Sequence, residues 1–135
     1  ELMHAITNAH QYISTCASLI SQKAAIRALS PDGMKSVTIL RKILKKQKKK
    51  LVTFLKELFP ALQYIDPQAA PYLFLSWNRD DHLISDLLAK NGIIVIPGSA
   101  FGKNGSNWIR MNYAINDDKM KLLFKKLSAM SLILK

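Results

Sequence analysis

The chain has 135 residues, with 20 Lys+Arg against 9 Asp+Glu, a net charge of +11, 49% hydrophobic residues and one cysteine. That length suits one domain of ordinary size or a piece of a larger protein, and the composition excludes wholesale disorder, collagen-like repeats and a disulfide scaffold. Cys16 has no partner for a disulfide, which fits a reducing cytoplasm, and no apolar run approaches the ~20 residues that span a bilayer.

The N-terminal stretch has no basic leader and is interrupted by His4, His10 and Gln11, so it does not read as a signal peptide. It begins Glu1-Leu-Met-His-Ala-Ile, which reads as the middle of a helix and points to a piece of a longer protein. Leu2, Met3, Ile6 and Ala9 form a helical stripe as far as Tyr12. Small and β-branched residues over 13–18 predict a bend. A second helix is expected from Ser18 to Leu29, with Ile20, Ala24, Ala25 and Ala28 on one side, and Ser30-Pro-Asp-Gly33 has the composition of a turn.

The longest element follows. Val37, Leu40, Leu44, Leu51, Phe54, Leu55 and Leu58 recur at three and four residues, interrupted by Gln47, and predict a helix over 34–59 that Pro60 ends. Such a helix is about 35–40 Å long, enough to link two lobes. Beyond it, strands are expected at 62–65 and 72–77, a helix over 81–90, and a buried strand at Ile93–Ile96 between Gly92 and Pro97. The segment 107–115 alternates, with Trp108, Arg110 and Asn112 on one face and Ile109, Met111 and Tyr113 on the other. Asn116 is a candidate N-cap for a last helix that turns Met120, Leu123, Phe124 and Leu127 inward. The fold class is therefore α/β with an α+β C-terminal part: a long helix, then a small sheet with flanking helices.

Few of the candidate sites carry chemistry. The basic run from Arg41 to Lys50 is placed mostly between members of the apolar stripe, as a solvated helix face requires. Its functional alternative is phosphate contact through Lys45–Lys50, without aromatic residues interleaved for base stacking. The segment Gly98 to Gly105 follows a strand, but it has three residues rather than four before Gly102-Lys103, and Asn104 stands where a nucleotide P-loop has Ser or Thr. His4, His10 and His82 show no metal-ligand spacing with Cys16, which is expected simply to be buried. Arg110, inside the apolar and aromatic segment Asn107-Trp-Ile-Arg-Met-Asn-Tyr113, is either a surface residue or an anchor for carboxylate or phosphate.

Gly92-Ile-Ile-Val-Ile-Pro-Gly-Ser-Ala-Phe-Gly102, followed by Trp108-Ile-Arg-Met-Asn-Tyr-Ala114, resembles the C-terminal part of class I/II aminotransferases, pyridoxal-phosphate enzymes of the aspartate aminotransferase fold. The stretch from Ala9-His-Gln11 to Ala25 is similar to the family's segment just after the cofactor-bearing region, and the helix at 34–59 matches its interdomain connector. The chain departs from the family at Ala69-Ala70-Pro71-Tyr72, where relatives often carry a Gly-aromatic pair.

The resemblance implies three parts: the tail of a large cofactor-binding domain (1–33), the interdomain helix (34–59) and a small domain (60–135). It implies that Arg110 binds the substrate α-carboxylate, that Phe101 lines the substrate entrance, and that residues 14–18 lie near an active site, of this subunit or a partner. It further implies a cytoplasmic homodimer acting on an amino acid and a 2-oxo acid with pyridoxal phosphate. No lysine here stands in the family's Ser-x-x-Lys context, so no catalytic or cofactor-binding residue is expected in this chain and the chain alone is expected to be inactive. A lyase or synthase of the same fold shares the carboxylate anchor, and a basic nucleic-acid-binding module is the alternative of another class.

Overall fold

The computed structural model describes residues 1–14 and 16–134, and the chain divides into two compact units, Glu1–Arg41 and Lys42–Lys135. The first holds helices α1 (Leu2–Ile13) and α2 (Leu19–Ala28), with no buried residue in either. Cys16 lies in the connection between them and is exposed, against the expectation of burial, because that connection is covered by neither helix. Thr15, part of the expected bend, lies outside the described residues.

Helix α3 (Pro31–Leu58) begins three residues earlier than the apolar periodicity predicts. The Ser-Pro-Asp-Gly segment, which has the composition of a turn, is the start of the helix. Pro31 occupies the first helical position, where its missing N–H costs nothing. Gly33 donates its backbone N–H to Ser30 Oγ at 3.3 Å, the bond a capping serine makes. Asp32 adds negative charge to the first turn and pairs with Arg27 and Lys35.

The second unit is a four-stranded antiparallel sheet with helices packed on it. Strands β1 (Gln63–Ile65), β2 (Tyr72–Ser76), β3 (Ile96–Pro97) and β4 (Ile109–Asn112) lie in the order β1-β2-β4-β3. The remaining helices are α4 (Asp81–Lys90), α5 (Asp117–Ala129) and the short α6 (Ser131–Leu134). Leu73 and Leu75 of β2 and Ile109 and Met111 of β4 share one face of the sheet. They form a single core with Leu51 and Leu55 of α3, Ile84 and Leu88 of α4, and Met120, Leu123 and Leu127 of α5. Burying that face fixes the register, since a one-residue slip would turn every inward side chain to the other side.

One expectation changes here. Ile93–Ile96 is not a buried strand: β3 is a two-residue edge strand, Ile94 is 80% exposed and only Ile93 of the four is buried. An edge position, paired with β4 alone, leaves one side of this apolar run open. Gln47, which interrupts the stripe of α3, is 5% exposed. The cap at Asn116 is present: its side chain accepts a hydrogen bond from Lys119 N at 2.9 Å.

Candidate functional site

The alternation of β4 turns Ile109 and Met111 into the core, so Arg110 must point to the opposite face. There it faces Phe74 of β2 on one side and Ile96 of β3 on the other, with Tyr72 one step along the same face. Its guanidinium carbon lies 4.3 Å from the centre of the Tyr72 ring and 4.5 Å from that of Phe101. Phe101 also meets Phe74 edge-on at 5.8 Å, so one of the two rings against this half-buried cation is itself braced by a third. Cation–π contact holds the guanidinium by its flat face and leaves the N–H groups around its edge free to donate. Among the described residues no carboxylate forms an ion pair with Arg110. A half-buried guanidinium in this state suits a carboxylate or phosphate held through two parallel hydrogen bonds.

Arg110 and Phe101, the two residues singled out by sequence, therefore meet. Phe101 reaches Arg110 because the loop between β3 and β4 folds back on itself in two short 3-10 turns, Gly98–Phe101 and Lys103–Gly105. Gly98 donates its N–H to Trp108 O at 2.7 Å, and Trp108 donates to Gly105 O at 3.1 Å. The backbones of Gly98 and Gly105 touch so closely that a Cβ on either would collide with the carbonyl of the other. These glycines serve the close crossing of two backbone segments.

A neighbouring cluster was invisible to sequence reasoning. Asp81, in the first turn of α4 and 4% exposed, accepts hydrogen bonds from Ser99 N (2.9 Å) and Ser99 Oγ (2.6 Å) on one oxygen and from Asn107 N (3.3 Å) on the other. The Ser99 hydroxyl, with the two backbone N–H groups, holds the Asp81 pKa down to about 2 against the opposing effect of burial. Ser76 Oγ donates to Asn107 O at 2.6 Å, so Asn107 is gripped on both sides in a left-handed conformation (φ 67°) that asparagine tolerates. Asp80 caps α4 through Leu83 N at 2.9 Å, leaving Asp81 for the loop. The only local signal was an Asp-Asp pair opening a helix, which ordinary capping already explains.

The Ser99 hydroxyl also lies 3.0 Å from His82 Nε2. This is not a nucleophile with its base. The Ser99 hydroxyl donates its proton to Asp81 at 2.6 Å, which leaves its oxygen to accept from His82 in the tautomer protonated at Nε2. Among the described residues no group of His, Cys, Asp and Glu is placed to hold a metal ion, and no helix is long and apolar enough to cross a membrane. The basic run is not one continuous face. Lys48 Nζ turns to Asp66 at 2.8 Å and Lys50 Nζ to Asp117 at 2.7 Å, while Gln47 lies buried between them.

The family model described as aminotransferase class I and II matches residues 2–127. The chain is 32% identical over 120 residues to the probable N-acetyl-LL-diaminopimelate aminotransferase of Bacillus subtilis, covering 86% of this chain and 30% of that protein. It is 29% identical over 125 residues to the aspartate aminotransferase of Pyrococcus horikoshii, covering 89% of this chain and 32% of that one. Among solved structures, an aromatic aminotransferase from Pyrococcus horikoshii matches 95% of this chain and 36% of its own, with a TM-score of 0.84 at 27% identity. The chain thus spans about a third of the length of these relatives.

Proposed function

Because the chain belongs to the class I and II aminotransferases, we propose that it is the C-terminal part of a pyridoxal-phosphate-dependent enzyme, in which Arg110 holds the α-carboxylate of an amino acid and of the matching 2-oxo acid. The observation that carries this reading is the guanidinium stacked on Tyr72 and Phe101 with no carboxylate among the described residues paired to it. A substrate carboxylate would complete that arrangement through two charge-assisted hydrogen bonds in the guanidinium plane. Fixing the substrate by its carboxylate sets the direction of its Cα–H bond, and holding reactants in one orientation supplies much of the rate. Phe101, half exposed on its loop, lines the entrance to this position.

On the same reading, residues 1–33 end the large domain, 34–59 connect the domains and 60–135 form the small domain. The full-length protein is a cytoplasmic homodimer, and the 135-residue chain alone is inactive. The residues of this chain do not fit a cofactor anchor. Of the described lysines, three are half-buried, and their amines are taken up by Asp66, Asp117 and the carbonyl of Gly92; the others are exposed. Pyridoxal phosphate is therefore assigned to residues outside this chain. The relatives described above are aminotransferases by name, which supports amino-group transfer over lyase or synthase chemistry.

The test is Arg110→Lys in the full-length protein. Lysine keeps the charge and loses the fork, so kcat/KM for the amino acid should fall roughly tenfold to a hundredfold, the equivalent of about one good charge-assisted hydrogen bond. An unchanged kcat/KM overturns the assignment.

A further inference from the structure

We infer that Asp81 is a positioning residue for substrate binding: by fastening both ends of the 98–107 loop to the start of α4, it holds the Phe101 ring against Arg110. The inference rests on the carboxylate-binding reading of Arg110.

The loop has to solve a mechanical problem. It leaves β3 at Pro97, carries Phe101 back over the sheet, and re-enters it at Ile109, the first residue of β4. Within the loop, the 3-10 turns and the Gly98–Trp108 bond shape the backbone. They do not tie it to α4, the helix packed beside the sheet. The carboxylate of Asp81 does. One oxygen takes the backbone and side chain of Ser99, two residues before Phe101, and the other takes the backbone of Asn107, three residues before Arg110. The same side chain thus touches the segments that carry both members of the site. Ser76 grips Asn107 from β2, so the attachment is rigid on the sheet side as well.

Charge is partitioned in a way that serves the site. Among the described residues Asp81 forms no ion pair, and its carboxylate is taken up by the N–H and O–H of Ser99 and the N–H of Asn107. Arg110 keeps its in-plane donors for a ligand.

Asp81→Asn is the discriminating change. Both oxygens accept hydrogen bonds, so either orientation of the new amide sets an NH2 group against a backbone N–H. In the full-length enzyme, amide hydrogen exchange across 98–107 should quicken by about tenfold or more, while exchange in the core of α5 stays unchanged. KM for the amino acid should rise about tenfold with kcat within about threefold. Ser99→Ala, which removes the 2.6 Å bond to Asp81 and the 3.0 Å contact with His82 Nε2, should move both readouts in the same direction by a smaller factor, and Ser99→Thr, which keeps the hydroxyl, should restore them. If Asp81→Asn fails to fold, the Ser99 pair decides alone. Faster exchange with unchanged KM overturns the inference, as does a raised KM without faster exchange. If instead Arg110→Lys leaves kcat/KM unchanged, the carboxylate reading itself fails, a result distinguishable because Asp81 and Arg110 are changed separately.

Discussion

The side-chain amide of Gln47 donates a 2.8 Å hydrogen bond to Oδ1 of Asp117, joining residues 70 positions apart in the chain. Lys50 Nζ reaches the same oxygen at 2.7 Å. Asp117 opens α5, so these two bonds seat the first turn of that helix on the middle of α3. The other Gln47 atom, Oε1, is buried without a partner.

That asymmetry sets an order among substitutions. Gln47→Leu removes one hydrogen bond together with a buried unsatisfied carbonyl, so stability should change by less than about 1 kcal/mol. Asp117→Ala strands the Gln47 amide as a buried donor and unpairs Lys50, and should cost more than Gln47→Leu. Urea unfolding of the two variants checks the order, and a larger loss in Gln47→Leu contradicts it.

Acid should weaken the fold through two carboxylates. Hydrogen bonds from Ser99 and Asn107 lower the Asp81 pKa from 3.8 to about 2, and those from Lys50 and Gln47 lower that of Asp117 from 3.8 to about 2. A group whose pKa is depressed by folding stabilises the native state above its unfolded pKa and loses that contribution as pH falls through the folded value. The gap in unfolding midpoint between the parent and Asp81→Asn should therefore be constant near neutrality and shrink between about pH 4 and pH 2. A gap that persists at pH 2 contradicts the assignment.

The two rings against Arg110 predict different outcomes. Phe101→Leu keeps an apolar side chain and loses the ring quadrupole, so KM for the amino acid should rise about twofold to fivefold, matching roughly 0.5–1 kcal/mol of cation–π attraction. Tyr72→Phe keeps its ring and should leave KM within about twofold, because the hydroxyl adds little to that attraction. Steady-state kinetics on the full-length enzyme separates them.

Core and surface should respond as burial dictates. Leu51, fully buried where α3 meets the sheet, should cost about 2–5 kcal/mol when changed to Ala. Leu132, 90% exposed, should cost less than about 0.5 kcal/mol. Calorimetry or denaturant unfolding measures both.

Gly105→Ala should open the loop, because its new Cβ meets the carbonyl of Gly98. Faster amide exchange across 98–107 and a raised KM are expected together. Preserved exchange would mean that the crossing relaxes without displacing Phe101.

Most elements were legible because they rest on local rules. The 3.6-residue stripe marked α3, the alternation around Ile109 and Met111 marked β4, and Asn116 announced α5. The strand at Ile93–Ile96 was misread because an apolar run looks the same at a sheet edge and in its centre. The start of α3 was placed late because Ser-Pro-Asp-Gly serves a turn and a helix N-terminus equally well.

Sequence by itself determined that Arg110 is exceptional, a cation within an apolar strand, and that Phe101 belongs to a glycine-framed loop beside it. Composition and periodicity also determined the α/β character and the inward residues Leu51 and Leu55 of α3 and Met120, Leu123 and Leu127 of α5. Tertiary structure alone decided what Arg110 touches, since Tyr72 and Phe101 reach it only through the pairing of β2 with β4 and the fold of an intervening loop. It alone made Asp81 a clasp for the loop, buried Gln47, and brought Gly98 against Gly105. Each of these depends on which strands pair and in what register, and that is fixed by burying one face of the whole sheet, a condition no local stretch of sequence contains.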